Sequence, residues 1–353
     1  MKYIGLDVGN GSICLCVRTE SGQGYSDVYP SVYGVYNAKA QAVQAQKSKM
    51  NRIDNVFSFE NKDYVLGYDN VQAAAATPIS AYDREDRISR REFQTLTKLA
   101  LIDAATRDGS TDVIEVELGI GTPAEDYREE TIEALHKWFA DPIVGRKNGK
   151  QVVIMVKKLE IISQPVAVLM DRYVDDEGYV QDETLEDGKS LVIDCGSGTM
   201  DMTVFDGLII IEQISEPIGM NDVYRALMQE IQRINPKVRP NTYEVERQVR
   251  EQSGSDKLIY TFGQAEPINL TEQRKDIMDD AWQQMLGAIT QRFPDRLQFN
   301  HIYLAGGTGD AFWSYFLEWS PKNPRIELLE DPQLAIARGL RKYVLANTQE
   351  VTV

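Results

Sequence analysis

Two short segments carry the residue types that handle phosphate. Asp7-Val8-Gly9-Asn10-Gly11-Ser12 and Asp194-Cys195-Gly196-Ser197-Gly198-Thr199 share the pattern D-x-G-x-G-[S/T] and lie 187 residues apart. A phosphate needs backbone N–H donors converging from a turn tight enough to approach it, and glycine permits such turns because it has no side chain in the way. Ser12 and Thr199 add hydroxyl donors. Asp7 and Asp194 stand just before the turns, where carboxylates suit the waters that Mg²⁺ keeps around itself. A third cluster, Gly306-Gly307-Thr308-Gly309, follows the apolar run His301–Ala305 and would let a flat ring come close to the backbone.

The elements that must position these groups are legible around them. Residues 4–17 read I-G-L-D-V-G-N-G-S-I-C-L-C-V and residues 191–204 read L-V-I-D-C-G-S-G-T-M-D-M-T-V, so the apolar flanks align along with the turns. Each copy predicts strand, tight turn, strand. A single such hairpin needs no explanation beyond turn geometry; two with the same aspartate predict a duplicated half-molecule.

Between the copies, Val113–Gly121 reads as a strand, with Thr122 as N-cap and Pro123 opening a helix to about Ala140, acidic in its first turns at Glu125, Asp126, Glu129 and Glu130. Asn148-Gly149 predicts a hairpin turn. Residues 38–51 and Gln72–Thr77, rich in alanine, suit a small outer subdomain. An acidic connector follows Asp171. A charged helical region covers roughly Asp222–Gln252, Lys257–Phe262 reads as a short strand, and Thr271–Arg292 reads as a long helix. Asp331-Pro332 supplies a cap and first-turn proline for a last helix to about Leu345. The run Phe312, Trp313, Tyr315, Phe316, Trp319 is expected in a core rather than at a partner surface.

The chain has 353 residues, enough for two domains. Its formal charge of −16 argues against broad binding to DNA or to anionic membrane. Cys14, Cys16 and Cys195 are expected as packed thiols, and the two histidines, His136 and His301, make no cluster at zinc spacing. No apolar run approaches the roughly 20 residues of a membrane span, and the first residues lack the plan of an export signal. A cytoplasmic location is the expectation.

The order D-V-G-N-G-S, S-Q-P-V-A, D-C-G-S-G-T, L-A-G-G-T-G and D-P-Q-L-A-I-A-R-G resembles the five nucleotide-site motifs of the actin, sugar kinase and heat-shock chaperone superfamily. Within it the chain is most similar to the ParM-type bacterial actins that segregate plasmids, through D-V-G-N-G, Pro30-Ser31, Gly121-Thr122-Pro123 and the N-G-K hairpin before S-Q-P. The resemblance implies an α/β actin-like fold: two duplicated ribonuclease-H-like domains with small variable outer subdomains around a nucleotide cleft. Domain bounds of 1–165 plus 331–353 and 166–330 follow, with outer subdomains near 28–90 and 222–270.

It also implies roles. Gly9, Asn10, Gly11 and Ser12 would form the first phosphate loop and Gly196, Ser197, Gly198 and Thr199 the second. Asp7 and Asp194 would hold Mg²⁺ through water, Gln164 would orient the attacking water, and Gly306, Gly307 and Thr308 would lie against adenosine. Glu246 and Arg247 are the candidates for a helix touching the nucleoside. The implied function is slow ATP hydrolysis coupled to filament assembly, with the chain itself and a centromere-binding adaptor as partners, DNA reached only indirectly and no membrane. The alternative is a small-molecule kinase or phosphatase of the same superfamily, for which Asp201 is the candidate base. Many relatives of this type carry a lysine in or just after the first loop; here Ser12 and Ile13 stand there, and the next cation is Arg18.

Overall fold

The structure, a computed structural model, describes residues 1–38, 55–80, 87–319 and 326–350. Most of the alanine- and glutamine-rich stretch at 38–51 therefore lies outside the described residues. The chain divides into two compact units, Met1–Thr184 with Gln333–Val353, and Leu185–Pro332.

The first unit is built on β1 (Lys2–Val8), whose Ile4, Leu6 and Val8 are buried. The chain turns through Gly9–Gly11 into β2 (Ser12–Thr19) and again into β3 (Gly24–Pro30). Then come β4 (Val32–Val35), β5 (Val56–Phe59), β6 (Lys62–Leu66), the short helix α1 (Tyr68–Ala73) and β7 (Ile79–Ser80). Helix α2 (Arg91–Thr106) buries an almost continuous apolar surface and leads to β8 (Asp112–Thr122). Helix α3 (Glu129–Phe139), β9 (Ile143–Lys147), β10 (Lys150–Ser163) and α4 (Gln164–Tyr173) follow. The ten strands form one sheet in the order β3-β2-β1-β8-β10-β9-β5-β6-β4-β7. β1, β8 and β10 run parallel, so their carboxyl ends, where open α/β sheets bind ligands, lie together.

The second unit contains β11 (Lys189–Cys195), β12 (Met200–Asp206), β13 (Ile209–Glu216), α5 (Met220–Ile234) and α6 (Thr242–Glu251). A two-stranded ribbon of β14 (Ile259–Tyr260) and β15 (Ile268–Asn269) precedes α7 (Thr271–Arg292) and β16 (His301–Ala305). Short helices α8 (Gly307–Ala311) and α9 (Trp313–Trp319) and the strand β17 (Ile326–Leu328) complete it. Its main sheet has the order β13-β12-β11-β16-β17. Phe312 and Phe316 are buried and the ring of Trp282 packs edge-on against Phe316, so the aromatic run is core, as expected.

The strand orders make the duplication physical. β3-β2-β1-β8-β10 repeats as β13-β12-β11-β16-β17, with antiparallel and parallel pairings in the same places. In the first hairpin Val8 faces Ile13; in the second Cys195 faces Met200, the same positions one repeat later.

The last helix, α10 (Ala335–Glu350), returns to the first unit and is seated on β1 and α4 without room for side chains at the contacts. A Cβ at Gly5 would stand 1.9 Å from the Ala337 carbonyl oxygen, and one at Gly339 would stand 1.8 Å from that of Ala167. Arg338 donates through Nε to Asp171 Oδ1 at 2.6 Å, and Lys342 Nζ reaches the Asp171 carbonyl at 2.6 Å, so a buried carboxylate on α4 is shared by two cations of α10. Helix α4 lies whole in the first unit, although the boundary expected at 165 would divide it.

Two expected helix starts are corrected. Thr122 is the last residue of β8, not an N-cap, and the helix begins only at Glu129, because Pro123 is extended and a single 3₁₀ turn at Ala124–Asp126 intervenes. Asp331 has φ +41° and Pro332 lies in a turn, so α10 begins at Ala335 and runs past Leu345 to Glu350. The charged region at 222–252 is broken into α5 and α6 around Asn235-Pro236. By contrast Thr271–Arg292, His301–Ala305 and the Asn148-Gly149 turn stand as read, both turn residues having positive φ.

Candidate functional site

In the first unit, the hairpin between β1 and β2 closes with the Gly9 amide donating to the Ser12 carbonyl at 2.9 Å. Two groups from Ser31 brace it: the amide donates to the Gly11 carbonyl at 3.0 Å and the hydroxyl to the Gly9 carbonyl at 2.6 Å. Pro30-Ser31 is thereby given a physical job that spacing alone did not assign. Gln333 Nε2 donates to Ser12 Oγ at 3.1 Å, a contact sequence reasoning did not single out.

Asp7 is buried at the end of β1, and Gln164 Nε2, at the first residue of α4, donates to its Oδ1 at 2.7 Å. Burial pushes the Asp7 carboxyl up to about 6, while the Gln164 hydrogen bond and the Arg87 charge pull it the other way. A carboxylate in this state gains from a nearby cation, which fits the role of a hydrated metal partner. Asp7, Gly9, Asn10, Gly11, Ser12 and Gln164 are therefore brought to one place.

Beside them is a residue that sequence reasoning missed. Arg87 is 6% exposed, and its NH1 lies 3.4 Å from the Val8 carbonyl, directly before Gly9. Arg18, the nearest cation in the sequence after the loop, pairs instead with Glu177 at 2.8 Å on the surface. Nothing in the spacing of residues pointed to Arg87, because it lies 79 residues along the chain from Val8, beyond β7.

Thr122 is also buried, and its Oγ1 has no hydrogen-bond partner among the described residues. An unsatisfied buried hydroxyl costs about 1–3 kcal/mol. Thr122→Val, which keeps the shape and deletes the hydroxyl, is expected to raise the stability of the first unit by about 1 kcal/mol. Chemical denaturation of the nucleotide-free chain checks this, and a fall in stability would mean the hydroxyl is engaged after all.

In the second unit the hairpin between β11 and β12 repeats the closure, Gly196 donating to the Thr199 carbonyl at 2.9 Å. The bracing comes from different elements. Thr308 Oγ1 donates to the Gly196 carbonyl at 2.6 Å, and the Asn221 amide at the start of α5 donates to the Ser197 carbonyl at 2.8 Å. In both units, then, the carbonyl of the first loop glycine is held by a hydroxyl, from Ser31 in one and Thr308 in the other. Thr199 Oγ1 donates to Asp201 Oδ2 at 2.8 Å, so Asp201 braces the hairpin from within.

Gly306 follows β16 with φ +81° and ψ 152°, and its backbone passes so close to Asp194 that a Cβ would stand 2.6 Å from Oδ1. Asp194, Gly196, Ser197, Gly198, Thr199, Gly306, Gly307 and Thr308 are thus gathered around one loop. Glu246 and Arg247 lie on α6, which packs on α5. Glu246 faces inward, where burial raises its carboxyl against the pull of Arg250 at 2.9 Å; Arg247 is exposed and pairs with Glu244 at 2.8 Å. Cys14 and Cys195 are buried and Cys16 half-buried, and none of the three is in a disulfide.

The fold that carries these two hairpins of one plan, each with a buried aspartate before its glycines, is actin-like. Residues 5–166 match the family model described as the actin-like proteins N terminal domain. The solved structures it resembles include an archaeal actin homologue, at 18% identity, TM-score 0.73, and coverage of 99% of this chain and 100% of that one. Bacillus thuringiensis ParM with ATP is similar at 16% identity and TM-score 0.70, with both chains covered in full. A ParM from a 15-stranded filament of Clostridium botulinum is similar at 16% identity and TM-score 0.73, covering 97% of this chain and 98% of that one. No curated protein matches the sequence. No described helix is long and apolar enough to cross a membrane.

Proposed function

We propose that the chain is a slow ATPase that assembles into nucleotide-dependent filaments in the cytoplasm and moves plasmid DNA through an adaptor protein. The observation that carries the reading is the Gln164–Asp7 contact at 2.7 Å beside the first of two matched phosphate loops. A neutral amide held by a buried carboxylate cannot act as a strong base; it can orient a water. The loops supply backbone donors to phosphate oxygens, and Mg²⁺, carried by water on Asp7 and Asp194, would neutralise the charge that develops on the transferred phosphoryl group. The likeness to ParM with ATP and to ParM in a filament supports nucleotide binding and self-assembly. The Thr199 hydroxyl donates to Asp201, which supports a bracing role for that carboxylate over the base of the kinase alternative.

Purified protein with ATP and Mg²⁺ is expected to scatter light, to pellet, and to show filaments by electron microscopy, and to do none of these without nucleotide. A chain that stays monomeric at high concentration with both present would sink the proposal. Gln164→Ala is expected to slow phosphate release by about a hundredfold with nucleotide affinity nearly unchanged. Unaltered hydrolysis would remove Gln164 from the mechanism.

A further inference from the structure

The first loop, Gly9-Asn10-Gly11-Ser12-Ile13, contains no cation, yet a guanidinium stands behind it. Arg87 is held by three elements: its NH1 by the Val8 carbonyl at 3.4 Å, its plane over the Phe93 ring of α2 at 5.1 Å, and its Nε near Asp126 Oδ2 at 3.4 Å. None of these satisfies it fully, and the Asp7 carboxylate, which also feels its charge, is itself pushed toward neutrality by burial. Among the described residues Nε makes no close hydrogen bond, its ion pair with Asp126 standing at 3.4 Å, and Asp126 is 30% exposed and lies within 4.0 Å of Arg128. A buried charge with loose compensation is costly. Its retention beside a loop made for anions calls for an anion.

We propose that Arg87 is the fixed positive charge of the first loop, a positioning residue that favours nucleoside polyphosphates through the field it sets behind the Val8–Gly9 backbone. The inference rests on the reading of this loop as a phosphate site, and adds to it the source of the charge. Arg87 does not touch the ligand: it is nearly sealed from solvent, and its contact with the loop is to a carbonyl. Low surrounding dielectric makes such a charge effective across several ångströms. Its influence must therefore scale with the number of phosphate charges rather than with the nucleoside.

That scaling is the test. Affinities for ATP, ADP and AMP are measured by calorimetry without Mg²⁺, whose charge would offset that of the added phosphates, for the wild-type chain, Arg87→Gln, Arg87→Lys and Asp126→Asn. Arg87→Gln keeps a donor for the Val8 carbonyl and loses the charge; its preference for ATP over AMP is expected to fall about tenfold. Arg87→Lys keeps the charge and most of the preference. Asp126→Asn, which removes the competing carboxylate, is expected to raise the preference, so the inference is tested even where Arg87→Gln folds poorly. Because each protein is compared with its own AMP affinity, partial unfolding cancels. Equal losses for all three nucleotides would make Arg87 a structural brace and overturn the inference while leaving the nucleotide site standing. A wild-type chain that binds none of the three would overturn the nucleotide reading, and this inference with it.

Discussion

Gly339→Ala is expected to destabilise the first unit by about 3 kcal/mol or more, although helix propensity alone predicts a gain of about 1 kcal/mol. Position 339 lies within α10, where alanine is the better helix former. The new methyl would stand 1.8 Å from the Ala167 carbonyl oxygen and 2.7 Å from its carbon, both parts of the α4 backbone. Backbone cannot swing aside as a flexible side chain can, so the two helices must separate. Separation also loosens the Asp171–Arg338–Lys342 cluster, which would leave a buried carboxylate underpaired. The control is Gly287→Ala in α7, where nothing lies within 4 Å and propensity acts alone; it is expected to stabilise. Chemical denaturation of the two variants should therefore move in opposite directions. If Gly339→Ala also stabilises, α10 is not seated on α4 as described.

The second large effect is expected at Gly306. Its φ of +81° with ψ of 152° falls in a region that is essentially closed to other residues and costs about 1–3 kcal/mol when forced. A methyl there would stand 2.2 Å from the Cys195 carbonyl and 2.6 Å from Asp194 Oδ1. Gly306→Ala must therefore displace the Asp194 carboxylate as well as strain the backbone. We expect loss of second-unit stability together with loss of nucleotide binding, even at temperatures where the variant remains folded. Gly149→Ala separates the two causes, since Gly149 has φ +80° but nothing within 4 Å. It is expected to cost about 1 kcal/mol and to leave binding untouched. Far-UV circular dichroism with calorimetric nucleotide titration reads both. Wild-type affinity in a folded Gly306→Ala chain would show that Asp194 placement is unimportant.

These cases also show where sequence reading succeeds. Hairpins are local: glycine positions, alternation and turn chemistry sit within a dozen residues, so both loops, the Asn148-Gly149 turn and β16 were legible. The repeat carried more, because an equal offset between two aspartates implies equal register, and the pairs Val8 with Ile13 and Cys195 with Met200 bear that out. What was hidden depends on residues brought together from afar. Arg87 reaches Val8 across 79 residues, and Thr308 reaches Gly196 across 112. The helix start misread at Thr122 is a different failure. Thr-Pro followed by acidic residues is a sound capping signal, but β8 extends through Thr122 by pairing with Ser163 of β10. Sheet pairing outweighed the local cap.

The place of α10 in the chain bears on how the molecule is made. The second unit is one continuous stretch, Leu185–Pro332, and has all its strands in hand once that stretch has left the ribosome. The first unit must wait. β1 leaves the ribosome ahead of the second unit, yet the helix that presses on Gly5 comes only after the whole of that unit. Domains complete during synthesis usually do so in chain order; here that order is reversed. The first phosphate loop lacks the Gln333 contact to Ser12 until the whole of the second unit has been made.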